Sequence, residues 1–460
     1  MLLPSWNRCF TAIALLGALV VSPAWGHPNH DEPPRVFASV EQFRPTPLPD
    51  RVVVSWSEDP ASTIDVTYRT DVATTRTVCQ WITAAEILGD HDTGDIPEAA
   101  SLEGTSEPFT SDLGEALIHT VKLRGLVPAT RYAYRVGDGA NWSEWHHVTT
   151  ASQPNTSGEV EHFEFLYFGD AQNAVRALWS RVRREAHAEA PRAAFALHAG
   201  DLINHHSSDA EWGEWHGAAG WLNATVPTIA VPGNHEYHVR NLKPAVSAHW
   251  RPQFSFPTNG LKGLEETSYW FDYQGARFIA LNSNERQEEQ AEWLDRLLTD
   301  EPSTRWTIVT FHHPIFSAAK NRDNPTLRAM WKAVFDKHGI DLALTGHDHT
   351  YARSGLGGPT DSELVGTENV GEGLRGKVGK TVYVVSVSGP KMYPLGDAWQ
   401  VSRNASGLQL YQVIGVDQDA IRYQAFSAAG DLYDAFTLHK DADGEVELEE
   451  QTPPTPPIHK

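Results

Sequence analysis

Cysteine is nearly absent from this chain of 460 residues, which has two, Cys9 and Cys79. Cys9 falls in an N-terminal apolar segment. Once that segment is removed Cys79 stands alone, and no intramolecular disulfide can form. The fold must then rest on its core, and on metal if metal is bound. Cys9 also lacks the flanking residues of a lipid-attachment site. Basic residues are scarce: 37 Lys and Arg face 59 Asp and Glu, a formal net charge of −22. That excludes nonspecific nucleic-acid binding, which needs a basic surface. An anionic substrate would need a local positive centre, and a metal site supplies one. Long apolar runs are missing apart from one near the N-terminus, and there is no internal repeat.

That one run, FTAIALLGALVV at residues 10–21, follows Arg8 and precedes SPAWG at 22–26, with small residues at Ala24 and Gly26. A basic, an apolar and a small-residue region in this order predict a secretory signal peptide over residues 1–26. The run is too short to span a bilayer comfortably, so an uncleaved anchor is the less favoured reading. The expected mature chain is soluble and exported, to a periplasm or outside the cell.

The length predicts two domains with tails. Residues 27–45, rich in Pro and His, read as an extended leader. From 46 to 150 apolar residues alternate: Val52, Val54 and Trp56; Val66 and Tyr68; Val121 and Leu123; Tyr132, Tyr134 and Val136. Period two with turns between predicts a β-sandwich. LVPATRY at 126–132 reads as the turn before a tyrosine corner, with Tyr132 bonding back to the backbone. No acid or imidazole cluster lies here, which favours a structural or docking domain. Residues 151–160 read as a linker.

From 161 to 440 apolar strands alternate with helical stretches at 175–190, 287–298 and 326–339, an α/β pattern. A Gly-rich loop is expected at 354–380. Strands resume at 381–388, 410–416, 420–426 and 432–439, and residues 441–460 read as a disordered tail.

One feature recurs along this second domain. FEFLYF ends in Gly169-Asp170, AFALHA in Gly200-Asp201, and VPTIAVP in Gly233-Asn234-His235-Glu236. WTIVTF ends in His312-His313-Pro314, and IDLALT in Gly346-His347-Asp348-His349. In α/β sheets, sites gather at the carboxyl ends of strands, and glycine before a ligand allows close backbone approach. Any one of these ends is weak; five in this order are not. Two carboxylates, an amide oxygen and imidazoles without thiolate suit two first-row ions, such as iron, zinc or manganese. A carboxylate can bridge two ions about 3.5–4 Å apart, and Asp201 is the candidate.

The order GD, GD, GNHE, H, GHxH resembles the calcineurin-like metallophosphoesterases. With a fibronectin type III-like domain in front, it is most similar to purple acid phosphatases. The resemblance implies a multi-domain α+β fold, the β-sandwich followed by a four-layer α/β/β/α domain. It implies Asp170, Asp201 and His349 as ligands of one ion, and Asp201, Asn234, His312 and His347 as ligands of the other. His235 would contact the phosphate and help protonate the leaving group. His313 would be a neighbour, either a further metal ligand or a support for one. The purple enzymes place a tyrosinate three residues after the bridging Asp; this chain has Asn204 there, so no purple colour is expected. Other members carry a histidine two residues after the first Asp, where this chain has Gln172. His205 and His206 are alternatives for filling that side, although a loop lining the cleft is preferred.

Trp212 and Trp215 have helical spacing and are expected to pack. Tyr237, His238, Tyr351 and Arg353 follow ligand motifs and are candidates for substrate contact; for Arg353 a salt bridge is an equal alternative. HEYHV at 235–239 is not a zinc-protease motif, because its second His falls at i+3. The expected function is an exported metal-dependent phosphatase acting on small phosphate monoesters, with water activated between the ions. A phosphodiesterase or nucleotidase is the alternative, and a non-catalytic envelope protein the least favoured. The sequence leaves the oligomeric state open.

Overall fold

The computed structural model describes residues 40–87, 94–153, 159–240, 243–301, 304–359, 379–396 and 401–454. The signal segment, most of the leader and most of the loop at 354–380 lie outside the described residues.

The N-terminal domain is a β-sandwich of two four-stranded antiparallel sheets. One holds Asp50–Ser55, Thr63–Thr70, Gly114–Arg124 and Thr105–Ser111; the other holds Ala100–Glu103, Val78–Thr83, Arg131–Gly137 and His146–Thr149. The alternating residues meet between the sheets: Val54, Val66, Tyr68, Val121, Leu123, Tyr132, Tyr134 and Val136 form one cluster with Cys79. Burial pushes the Cys79 thiol well above its ordinary pKa, so it stays a neutral apolar filler. Tyr132 closes its corner by accepting a hydrogen bond from Val127 N at 2.9 Å.

Two seven-stranded sheets face each other in the second domain. The first runs Thr228–Ala230, Ala196–His198, Phe163–Phe168, Leu410–Val416, Ala420–Ser427, Leu432–Lys440, Val446–Glu450, its first three strands parallel and the rest antiparallel. The second runs Tyr269–Tyr273, Ala276–Ala280, Trp306–Thr310, Leu342–Thr345, Val382–Val385, Tyr351–Arg353, Arg403–Ala405, with four parallel strands in the middle. Side chains alternate across the second sheet. Phe278, Ile308, Leu342 and Leu344 join the core between the sheets. Ile279, Val309 and Ala343 turn outward to Leu294, Trp331 and Phe335 of the helices Gln287–Asp300 and Pro325–His338. Strands covered on both faces read as continuous apolar runs, as these do. The helices Ser180–Glu189 and Asp209–Ala219 cover the first sheet, giving the four layers expected.

Two expectations need correction. The tail is not disordered from 441 onward: Val446–Glu450 pairs with Leu432–Lys440 as an edge strand, so the domain continues past 440. Its acidity suggested disorder, but Val446 and Leu448 alternate with the glutamates and pack on the core. The helix at 175–190 starts as a π-turn over Val175–Trp179, after Ala174 at φ 46°, before becoming α-helical.

The domains share buried polar contacts. Ser55 Oγ donates to Ser255 O at 3.0 Å, Thr67 Oγ1 to Gln253 O at 2.8 Å, and Tyr134 OH to Ala224 O at 2.7 Å. Trp56 of the sandwich packs edge-on against Phe195 of the second domain, with ring centroids 5.9 Å apart.

Candidate metal centre

The strand ends converge in space as they do in sequence pattern. Asp170 follows Phe163–Phe168, Asp201 follows Ala196–His198, Asn234 and His235 follow Thr228–Ala230, His312 follows Trp306–Thr310, and His347 and His349 follow Leu342–Thr345. Asp201, His347 and His349 all have positive φ, at 52°, 74° and 47°. Such backbone strain in non-glycine residues gathers at functional sites. Glycines of neighbouring motifs leave room for the two acids. A Cβ on Gly233 would lie 2.1 Å from Asp201 Oδ1, and one on Gly346 would lie 2.3 Å from Asp170 Oδ1.

Two groups of donors result. Asp170, Asp201 and His349 offer ligand atoms within 4.8 Å of one another, and so do His312, His313 and His347. Asp201 joins them: its Oδ2 lies 3.2 Å from His312 Nε2. Asn234 Oδ1 is 3.0 Å from His312 Nε2, and His347 Nδ1 is 3.1 Å from that same nitrogen. His349 Nε2 lies 3.1 Å from Asp170 Oδ2. The imidazoles are oriented by carbonyls, which can only accept. His312 Nδ1 donates to Ala199 O at 2.8 Å and His349 Nδ1 to Lys391 O at 2.9 Å. Each ring therefore turns Nε2 to the acids, the arrangement that outer hydrogen bonds impose on metal-binding histidines.

These residues fit cations. Asp170 Oδ2 and Gln172 Oε1 are buried acceptors that take no hydrogen bond among the described residues, and such groups need a partner. Burial favours neutral forms, yet His312 and His235 hold Asp201 well below the usual carboxylate range. Burial likewise works against a charge on His312, but Asp201 and Asp170 push it up to about 9. Acids and imidazoles this crowded attract either protons or metal.

His235 sits at the edge of the pair. Its N donates to Asp201 Oδ1 at 2.9 Å and its Nδ1 donates to Asn204 O at 2.6 Å. The carbonyl fixes the proton on Nδ1, so Nε2 is the atom turned inward, 4.0 Å from Asp201 Oδ2.

The other candidates divide. Gln172 is in the centre, its Nε2 2.9 Å from Asp201 Oδ2 and 3.1 Å from His349 Nε2. His313 lies with the donors: its ring centroid is 4.2 Å from that of His347, and its Nδ1 is held by Ser283 Oγ at 2.9 Å. Asn204 serves through its backbone; its side-chain oxygen accepts from Asn173 Nδ2 at 3.1 Å. His205 stacks on His206, and His206 on His238, with centroids 4.9 and 5.0 Å apart. None of the three belongs to a donor group. Tyr237 is buried, its OH donating to Glu285 at 2.7 Å.

Tyr351 is a correction, and for Arg353 the salt-bridge alternative is the one observed. Both are buried: Tyr351 OH donates to Asp434 at 2.6 Å, and Arg353 pairs with Asp434 and Glu450 at 2.7 Å each. They fasten the C-terminal strands rather than meet substrate. Trp212 and Trp215 pack in the core as expected.

Sequence reasoning missed three supports. Glu236 accepts from Gly233 N, Leu202 N and Asp201 N at 2.7, 2.8 and 2.9 Å. Burial and the charge of Asp201 push it up to about 8. Glu211 accepts from Asn204 N and His205 N, both at 2.8 Å. Asp348 pairs with Arg322 at 2.6 Å, and Arg322 also reaches His347 O. Glu236 and Asp348 lie within the motifs, a usable signal; Glu211 carried none.

Acids and imidazoles at the strand ends of two facing sheets define a metal-dependent phosphoesterase fold, and residues 162–351 match the family Calcineurin-like phosphoesterase. Over those residues the chain is similar to that family. Residues 49–150 match the family Purple acid Phosphatase, N-terminal domain, and the chain is similar to those phosphatases in both parts. Purple acid phosphatase 15 of Arabidopsis thaliana is 25% identical over 272 residues, 52% of this chain and 49% of that protein. Acid phosphatase type 7 of Homo sapiens is 26% identical over 344 residues, 67% of this chain and 71% of that protein. The chain spans about half the length of the first curated relatives it matches. Among solved structures, purple acid phosphatase PPD1 from yellow lupin (Lupinus luteus) seeds superposes with a TM-score of 0.69 at 18% identity, covering 86% of this chain and 75% of that one. PhoD gives 0.63 at 13%, covering 93% and 96%.

Proposed function

We propose that the protein is a metal-dependent phosphatase that hydrolyses small phosphate monoesters. The carrying observation is the pair of donor groups joined at Asp201, with His235 Nε2 facing the junction. Asp170, Asp201 and His349 would hold one ion, and Asp201, Asn234, His312 and His347 the other, with Gln172 and His313 beside them; iron, zinc and manganese all suit such donors. When bound, two such ions would grip the phosphoryl oxygens and lower the pKa of the attacking water. Because Nδ1 of His235 is committed to Asn204 O, a proton for the departing oxygen must ride on Nε2. Asp201 nearby stabilises the imidazolium that carries it.

The site's positive charge would offset the acidic chain for an anionic substrate. Residues 8–26 support export. No helix among the described residues is long and apolar enough to cross a membrane.

The test is hydrolysis of an aryl phosphate monoester beside the matching bis-aryl diester, with manganese, zinc or ferrous iron added and Asp201→Ala as blank. Faster monoester turnover is expected. Diester preference would move the protein to the phosphodiesterase reading, and turnover of neither would leave a fold without this activity.

A further inference from the structure

The sandwich meets the second domain through a buried charge cluster that leads to His235. Arg51 lies where the register of Asp50–Ser55 shifts, at φ 53°. A bulge there re-aims a side chain, and the Arg51 side chain leaves the sandwich for the second domain. Its Nη2 donates to Asp209 O at 3.0 Å and its Nη1 contacts Asp209 Oδ1 at 2.5 Å. Arg69, also of the sandwich, reaches Asp209 Oδ2 at 2.9 Å and Asp50 at 2.6 Å. Ser111 Oγ donates to Asp209 at 3.2 Å, and Asp209 N donates to Asp112 at 2.9 Å. Asp209 and both arginines are buried. The two guanidinium groups are met by the carboxylates of Asp209 and Asp50. Buried ion clusters rarely stabilise more than apolar packing would, and fixing a geometry is one use for them.

The geometry fixed here is the start of the helix Asp209–Ala219. Ser208 caps it, accepting from Glu211 N. From the same first turn, the Glu211 carboxylate accepts from Asn204 N and His205 N. Asn204 O in turn takes the Nδ1 proton of His235. The path from sandwich to imidazole is therefore Arg51 and Arg69, Asp209, Glu211, the Asn204 peptide, His235.

We infer that Glu211 is a positioning residue that sets the tautomer and aim of His235, and that the β-sandwich anchors it through Asp209. This rests on the phosphatase reading for its kinetic consequence but not for its structural one.

Two measurements test it on the full chain. The first is 15N NMR of histidine-labelled protein. Wild type and His235→Ala identify the His235 signal, which should report a single Nδ1–H tautomer; Glu211→Ala should mix the tautomers, and Arg51→Met should do so less. An unchanged tautomer in Glu211→Ala overturns the inference whether or not the protein hydrolyses anything. The second is leaving-group dependence at unchanged metal content. Glu211→Ala should lower kcat on an alkyl phosphate by ten- to a hundred-fold with KM little moved, and barely alter a dinitrophenyl phosphate, whose leaving group needs no proton. In the His235→Ala background the same change should add nothing, as in a double-mutant cycle. Equal losses on both substrates, or additive losses with His235→Ala, mean a merely structural role. Absence of wild-type turnover on every phosphate ester would overturn the phosphatase reading alone, leaving the tautomer result to decide this one.

Discussion

At the scale of single residues, the proposed function gives His235 and His312 opposite tasks. Under it His235 keeps Nε2 for proton transfer, so His235→Ala should lower turnover of poor leaving groups about 10²–10⁴-fold while metal content stays near that of wild type. Steady-state kinetics across phosphate esters of graded leaving-group pKa checks this; a uniform loss would point to phosphate binding instead. His312 holds its proton up to about 9 beside Asp201 and Asp170, against about 6.5 in an unfolded chain. In the metal-free protein that raised pKa contributes stability fully below about pH 6.5, and the contribution is lost as pH rises toward 9. Metal must displace the proton. Calorimetric titrations in buffers of different ionisation enthalpy should therefore show proton release on binding and tighter binding from pH 6.5 to 9. Binding without proton release would show that His312 is not a ligand. Asn204 directs its side chain to Asn173, and ferric-loaded protein should lack a tyrosinate band in its visible spectrum.

Much of this candidate centre was legible because each candidate ligand closes an apolar run, a pattern that alternation and composition expose without coordinates. What stayed hidden has physical reasons. Tyr351 and Arg353 follow GHDH closely in sequence, but a strand begins at Tyr351 and carries both side chains into the interior, to Asp434 more than eighty positions away. Glu211 carried no signal in the sequence, because only the folded loop supplies the two N–H groups it accepts from.

At the scale of elements, the edge strand Val446–Glu450 is the least expected piece and the easiest to test. Arg353 is fully buried and its charge is met by Asp434 and Glu450. Asp434→Ala leaves that guanidinium short of a partner and should cost about 3–5 kcal/mol, the usual penalty for breaking a buried pair. Urea unfolding measures it. Arg183 makes the contrast. It is fully buried on the helix Ser180–Glu189, stacks 5.6 Å over Phe168, and its nitrogens take no hydrogen bond among the described residues. Burial pulls its pKa down to about 10. Arg183→Met should be neutral or raise the unfolding midpoint, because an apolar isostere removes an uncompensated charge. A loss as large as that of Asp434→Ala would mean the guanidinium has a partner.

Across the whole molecule, the two domains share the Arg51–Asp209–Arg69 cluster, the Ser55, Thr67 and Tyr134 hydrogen bonds, and the core position of Trp56. With that much buried between them they should unfold together, as one calorimetric transition rather than two; two resolved transitions would show an interface too weak to position anything. The central claim is that five strand ends build a paired metal site through Asp201. Elemental analysis of reconstituted, desalted protein tests it most directly. Wild type should retain two ions per chain and Asp201→Ala neither, whereas unchanged metal content in Asp201→Ala would contradict the account.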